Sequence, residues 1–200
     1  MLFDFGGVLV SSPFETFHRY EADHGLPEGF IRKLNTMDPD ANAWARLERA
    51  EISFEQFCDQ FESDAERAGG KVDARVLFSS LLGEPRPQML KAAARCHERL
   101  KTGLLTNNFL APGANMGLEL AADLFDVVIE SSRVGVRKPD PKFYEIACKE
   151  LEIHPSEAVF LDDLGVNLKP ARAMGMATIK VIDPDQALAE LEELVGFPLG

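Results

Sequence analysis

Polar side chains that can take part in catalysis follow several short apolar runs of this sequence. They are Asp4 after MLF, Thr106 and Asn107 after GLL, Lys138 in the loop after FDVVIE, and Asp162 and Asp163 after AVFL. Three acids that meet at one place cannot all stay ionised unless a cation compensates their charge. Mg²⁺ suits this role, because it binds carboxylates, backbone carbonyls and phosphate oxygens. The sequence therefore predicts a magnesium site, provided that the fold brings these residues together.

The apolar runs before these residues have the pattern of buried strands in a parallel sheet. They are short and rich in Val, Ile and Leu, and they comprise MLF, GLLT, FDVVIE, EAVFLD and ATIKVI. The segments DPKFYEIACKEL and DPDQALAELEEL predict helices, because each begins with an Asp cap followed by Pro. This alternation predicts an α/β fold with a doubly wound, Rossmann-like parallel sheet. Ligands of such sheets bind beyond the carboxyl ends of the strands, where the polar residues lie.

The long segment between the first two strands lacks a strand pattern and predicts helices. The sequences SPFE (12–15) and SFEQ (53–56) are typical of capping boxes at helix starts. We therefore expect an α/β core made of residues 1–12 and 101–200. A helical domain with a connecting helix, residues 13–100, is expected to be inserted after the first strand.

The composition argues against several classes of partner. A net charge of −12 and a pI near 4.8 repel nucleic acids and anionic membranes, so neither is expected. Asp4 interrupts the first apolar residues and no basic region precedes them, so we expect no signal peptide. The cysteines Cys58, Cys96 and Cys148 form no CxxC pair, which favours buried, reduced thiols in a cytoplasmic protein.

Together, these residue types predict phosphoryl transfer. When a cation binds some of the acids, a remaining carboxylate is available as a nucleophile. Lys138 can neutralise a further negative group, and Thr106 with the amides near it can bind phosphate oxygens. The expected reaction is a Mg²⁺-assisted transfer from a small phosphorylated substrate through an aspartyl-phosphate intermediate.

Four segments, in order along the chain, resemble the four motifs of the haloacid dehalogenase superfamily. They are MLFDFGGV, LLTNN, VRKPDP and VFLDDLGVN. Within that superfamily, residues 125–195 look most similar to the N-terminal phosphatase-like domain of soluble epoxide hydrolase. They are equally similar to the corresponding domain of some acyl-CoA dehydrogenase-family proteins. The resemblance implies that the helical insert is a small cap.

The resemblance also implies a role for each residue at a motif position. It makes Asp4 the nucleophile and a metal ligand, and it makes Asp163 the principal metal ligand of the fourth motif, with Asp162 beside it. Thr106 and Asn107 would contact the phosphate or the substrate, and Lys138 would steady the nucleophile and the transferring group. Asn167 would support a metal-bound water or Lys138. The expected cofactor is therefore Mg²⁺, and the expected activity is that of a phosphatase.

The sequence departs from the superfamily pattern at Gly6. Phosphatases of this superfamily usually carry a second aspartate two residues after the nucleophile, and its side chain protonates the leaving group. Gly6 keeps the backbone carbonyl that ligates the metal but has no carboxyl group. Loss of a general acid typically costs about 10²–10⁴ in rate. Acyl phosphates, which need little protonation to leave, would be affected least.

Two alternatives to an ordinary phosphatase stay open at this point. Gly6 also fits a catalytically weak or silent binding domain. A metal-free 2-haloacid dehalogenase likewise lacks the second acid, but it needs an arginine on the cap side to receive halide. Arg19 is the first arginine after Asp4. The adjacent acids of the fourth motif favour a bound cation over this third possibility.

Overall fold

A computed structural model of the chain describes residues 1–81, 83–110, 118 and 122–199. Five strands in these residues form a single, entirely parallel sheet with the order β3-β2-β1-β4-β5. The strands are β1 (Leu2–Phe3), β2 (Gly103–Thr106), β3 (Val127–Glu130), β4 (Val159–Asp162) and β5 (Ala177–Lys180). The predicted parallel α/β sheet is confirmed.

Helices cover both faces of this sheet, which makes it doubly wound. The helices that pack against the sheet are α6 (Pro87–His97), α7 (Ser131–Val134), α8 (Pro141–Glu150), α9 (Gly165–Ala173) and α10 (Pro184–Val195), and together with the sheet they form the sheet layer. Successive strand residues point to opposite faces. Phe3 accordingly packs in one apolar cluster with α6 and α10, whereas Leu2 packs in another with α8 and α9.

Five further helices of the described residues lie between β1 and α6, and we call residues 13–79 the helical unit. They are α1 (Pro13–Asp23), α2 (Phe30–Thr36), α3 (Ala43–Glu48), α4 (Phe54–Arg67) and α5 (Ala74–Ser79). The helical unit has an apolar core of its own, in which Phe57 and Phe78 are buried. Phe109, which follows β2, packs against Phe78 at 4.8 Å between ring centroids. The unit is thus joined to the sheet layer by side-chain packing as well as by the chain.

The two predicted capping boxes have different outcomes. Ser53 forms a complete box with Gln56 at the start of α4, as predicted. The box predicted at Ser12 is wrong, because the Ser12 hydroxyl makes no bond to α1. It donates instead to Oδ2 of Asp163 at 3.1 Å. A hydrogen bond from a hydroxyl to an ionised carboxylate is charge-assisted, and Asp163 lies within reach of this serine.

Two further structural findings concern the cysteines and the helices. Cys58, Cys96 and Cys148 are all buried and unpaired, as their spacing predicts. In the described ranges, no helix has both the length and the apolar character that crossing a membrane would require.

Candidate active site

The carboxyl ends of the central strands bring the predicted acids together. Asp4 follows β1, and Asp162 ends β4, with Asp163 next in the chain. The two strands pair side by side, and the Asp4 amide donates to the Leu161 carbonyl at 2.9 Å. Oxygens of the three carboxylates lie within 4.8 Å of one another. The expected cluster at this edge of the sheet is therefore formed.

Lys138 places its ammonium group between two of these acids. Its Nζ lies 2.7 Å from Oδ1 of Asp4 and 2.8 Å from Oδ2 of Asp162. The side chain is only 1% exposed. Burial alone would lower the pKa of the Lys138 amine, but the Asp162 and Asp4 carboxylates outweigh it and raise that pKa. The lysine is therefore held in its charged form.

The side-chain amide of Asn107 bonds the backbone of Lys138 through both of its polar atoms. The Lys138 N–H donates to Oδ1 of Asn107 at 2.9 Å, and Nδ2 of Asn107 donates to the Lys138 carbonyl at 3.0 Å. Thr106, which ends β2, is buried beside it. Both residues also line the cavity described below.

Asp162 lies behind the site in a hydrogen-bond network that uses both of its oxygens. Oδ1 accepts from the Leu164 N–H at 2.8 Å and from Nδ2 of Asn167 at 3.1 Å. Oδ2 accepts from Lys138 and, at 3.0 Å, again from Asn167. The Tyr144 hydroxyl donates to the Asn167 carbonyl at 2.6 Å. Asp162 is fully buried, and it supports Lys138 from within the protein.

Asp163 is the acid of this pair that faces the cavity. Burial, and next the neighbouring Asp162 carboxylate, raise its pKa to about 6, although the Ser12 hydroxyl works in the opposite direction. Burial likewise raises the pKa of Asp4 well above its usual value, against the opposing effect of Lys138. Both pKa values are raised because the carboxylate charges are buried and the protein does not fully compensate them.

Gly7 allows the chain after Asp4 to pass directly over Asp163. Its φ is +77°, and a Cβ at this position would overlap the Asp163 carboxylate. The position therefore requires glycine for two independent reasons. At Gly6, by contrast, the nearest atom to an added methyl group would be Cδ of Pro13, at the ordinary contact distance of 3.5 Å. A Cβ at residue 6 would fit, so its immediate surroundings do not require glycine here.

A cavity of about 680 Å³ opens above the acids, between the sheet edge and the helical unit. Its polar end contains Asp4, Gly6, Lys138 and Asp163. The apolar side chains along its walls include those of Val10, Phe14, Phe17, Trp44, Leu81, Phe109, Leu164 and Val166. Arg32, Arg137 and Glu48 supply charges farther along the walls. The site thus combines an anionic end suited to a cation with a largely apolar body.

Two features of this site escaped prediction from the sequence. The bond from Ser12 to Asp163 joins residues that are 151 positions apart, and nothing local signals it. The pairing of Glu48 with Arg137 in the cavity wall is equally non-local, and the periodicity of α3 gives no sign of a buried carboxylate.

The donor set fits a hard divalent cation. The cluster of Asp4, Asp162 and Asp163 offers carboxylate oxygens, which are ligands Mg²⁺ prefers, and Gly6 lines the same cavity. Within the described residues, no hydrogen bond reaches Oδ2 of Asp4. The single buried ammonium of Lys138 cannot neutralise three carboxylates, which leaves a charge that a cation would balance.

Fold and site together define a haloacid dehalogenase-like hydrolase. The family described as haloacid dehalogenase-like hydrolases matches residues 1–175, and the chain belongs to this family. The resemblance of the four motifs is thereby confirmed, and the chain is a hydrolase of this class.

Three known proteins are similar in sequence to this chain over nearly its whole length. The chain is 40% identical over its whole length to acyl-CoA dehydrogenase family member 10 of Mus musculus, but it spans only 19% of that protein. It is 37% identical over 99% of its length to bifunctional epoxide hydrolase 2 of Sus scrofa, of which it spans 39%. A sesquiterpene phosphatase of Aspergillus oryzae is 27% identical, with 98% of this chain and 95% of that protein covered.

Solved structures support the fold. A HAD-like family hydrolase from Porphyromonas gingivalis matches with a TM-score of 0.71 at 21% identity, covering 97% of this chain and 96% of the other. A HAD family enzyme from Bacteroides thetaiotaomicron, solved with magnesium and inorganic phosphate, matches with a TM-score of 0.62 at 18% identity. That match covers 90% of this chain and 91% of the other.

Proposed function

We propose that the chain is a Mg²⁺-dependent phosphatase that acts on a small phosphorylated substrate through an aspartyl-phosphate intermediate. The observation that carries this proposal is the placement of Asp4 against Lys138 and beside Asp163 at the end of a cavity. Asp4, Asp163 and the Gly6 carbonyl would hold the metal. When bound, Mg²⁺ would offset the negative charge of the phosphate and of the acids.

In the proposed reaction, an oxygen of Asp4 attacks phosphorus and the bond to the leaving oxygen breaks. This gives an acyl phosphate on Asp4, which water then hydrolyses to release phosphate and restore the carboxylate. Lys138 keeps the attacking carboxylate oriented through its contact with Oδ1, and its charge offsets that of the phosphoryl group. Asp162 and Asn167 keep the lysine in place, and Thr106 and Asn107 line the phosphate end of the cavity.

Gly6 shapes the proposed substrate range. Because residue 6 offers no proton to the leaving oxygen, we propose that substrates with good leaving groups, such as acyl phosphates, react fastest. The room for a Cβ at Gly6 supports a test by addition of the missing acid. A Gly6→Asp variant is expected to hydrolyse alkyl phosphates faster than wild type.

We further propose that the insert, residues 13–100, is a cap on a core made of residues 1–12 and 101–200. The helical unit supplies much of the cavity wall, including the aromatic residues Phe14, Phe17 and Trp44. These side chains favour a substrate with an apolar body behind its phosphate. The phosphatase of Aspergillus oryzae, whose name refers to a sesquiterpene, is consistent with that preference. The buried thiols support a cytoplasmic location.

A catalytically silent binding domain is the second candidate, and Gly6 is the observation that favours it. The dehalogenase alternative gains little support from Arg19, which is exposed and is not among the cavity-lining residues. Arg32 lines the cavity instead. Chloride release from 2-chloropropionate in the presence of EDTA would favour dehalogenation.

The three functions are separated by one set of assays. Acetyl phosphate, para-nitrophenyl phosphate and an alkyl phosphate are offered to wild type, Asp4→Asn and Gly6→Asp, with Mg²⁺ or with EDTA. A phosphatase releases phosphate from acetyl phosphate with Mg²⁺, and Asp4→Asn lowers this rate by more than about 10³-fold. Absence of phosphate release by wild type from every compound contradicts the proposal. If beryllium fluoride with Mg²⁺ also leaves Tm unchanged, the silent domain is favoured.

A further inference from the structure

A largely buried ion pair links the helical unit to the loop that carries Lys138. Glu48 ends α3, and its Oε2 lies 2.6 Å from Nε of Arg137. The Glu48 and Arg137 side chains are 8% and 21% exposed. These two atoms meet in a close charge contact, but neither has an aligned hydrogen bond to a described residue. We therefore treat the contact as electrostatic attraction, which depends on both charges being present.

Additional bonds fix each partner of this pair to the helical unit. Nε1 of Trp44 donates to Oε1 of Glu48 at 2.9 Å, which orients the carboxylate. Nη1 of Arg137 donates to the Pro39 carbonyl at 2.9 Å, in the loop before α3. One guanidinium group from the sheet layer is thus held at two points of the helical unit.

Arg137 is joined to Lys138 by a single peptide bond. The Lys138 N–H that belongs to this bond donates to Asn107, and the Lys138 ammonium contacts Asp4 and Asp162. A shift of Arg137 would therefore move the backbone from which the Lys138 side chain extends. Misplacement of a catalytic group by about 1 Å can cost about 100-fold in rate.

We propose that the Glu48–Arg137 pair clamps the helical unit to the Lys138 loop and holds Lys138 in position. Both partners act through Lys138, so they are positioning residues. The contribution to rate rests on the proposed phosphatase function, whereas the clamp itself does not. Loss of either charge leaves the other largely buried without its opposite charge, and this weakens the attachment of the helical unit to the loop.

The test compares Glu48→Gln, Arg137→Met and the double variant with wild type. Glu51→Gln is the matched control, because it makes the same chemical change three residues later in an exposed local ion pair with Arg49. The first readout is hydrogen exchange of the Lys138 amide, measured by NMR. The second is kcat and KM for para-nitrophenyl phosphate with Mg²⁺.

Each single variant is expected to speed exchange of the Lys138 amide about tenfold or more. Each is also expected to lower kcat about 10- to 100-fold. The double variant should lose no more than the worse single variant, since both residues serve one contact. The control should match wild type in both readouts.

A purely structural role predicts a lower Tm, with exchange at Lys138 accelerated no more than that of the most slowly exchanging amides and with kcat unchanged below the transition, and this result would overturn the proposal. If wild type itself releases no phosphate, the proposed function fails, while the exchange measurement still decides on the clamp. Exchange at Lys138 accelerated no more than that of those slow amides then rejects the clamp, and a larger acceleration in both single variants supports it.

Discussion

The two sides of the acid cluster are built on opposite principles, although Asp162 and Asp163 are adjacent in the chain. On the inner side, Asp162 meets Lys138, Asn167 and the Leu164 N–H, so that both of its oxygens are occupied. On the cavity side, Asp163 has the Ser12 hydroxyl as its side-chain partner and retains a raised pKa. The inner side is a satisfied network, and the cavity side carries excess negative charge.

This difference suggests two roles: the inner side supports Lys138, and the cavity side is suited to bind a cation. A buried polar network with all partners present fixes geometry, because any displacement leaves a charge unpaired in a low-dielectric interior. A partly exposed acid with a raised pKa gains stability when a cation arrives. Asp4 belongs to both sides, since it contacts Lys138 and also faces the cavity. That position suits the proposed role of Asp4 as a nucleophile beside a metal.

Asp162→Asn is expected to produce the largest loss of stability. The substitution removes one of the two carboxylates that compensate the buried Lys138 ammonium, and it sets an amide against the donors of Asn167 and Leu164. Breaking a buried ion pair from one side costs about 3–5 kcal/mol. Urea denaturation in EDTA measures the loss, with Asp163→Asn as the matched control. Equal losses in the two variants would contradict the proposed division of the cluster.

Asp163→Asn is expected to act in the opposite direction when no metal is present. The amide removes a charge that burial and Asp162 disfavour, so the free energy of unfolding in EDTA should rise by about 1–3 kcal/mol. Addition of Mg²⁺ should raise Tm in wild type but much less in this variant. A Mg²⁺-dependent shift of wild-type size in Asp163→Asn would place the metal elsewhere.

The sequence was sufficient for the sheet and for the residues at its edge, for a physical reason. The position of Asp4, Thr106 and Asp162 at strand ends depends on local apolar runs, and parallel strands must share an edge. Ser53 likewise caps α4 through a contact with Gln56, only three residues away. These predictions succeeded because they depend on neighbours in the chain.

The features that the sequence did not predict depend on contacts between distant segments of the chain. The SPFE pattern predicts a cap at Ser12, but the Ser12 hydroxyl donates a hydrogen bond to a carboxylate 151 residues away. The different environments of Asp162 and Asp163 follow from where Lys138 and the helical unit lie, and the DD dipeptide does not distinguish them. The Glu48–Arg137 contact similarly joins an insert to a loop whose relative placement has no local sequence pattern.

The pH dependence of stability should reveal the cavity side of the cluster with the smallest of these effects. The pKa of Asp163 rises on folding from its ordinary value to about 6, so the folded protein binds more protons than the unfolded chain between these values. Stability must then fall as pH rises through this window, and Asp4 contributes in the same direction because its pKa is also raised. In EDTA, wild type should lose about 1–2 kcal/mol between pH 5 and pH 7 from these groups. Asp163→Asn should flatten the slope, and saturating Mg²⁺ should do the same in wild type, because both remove the cost of the ionised acid. A slope that neither change reduces would show that other groups control the titration and that the cavity side carries no excess charge.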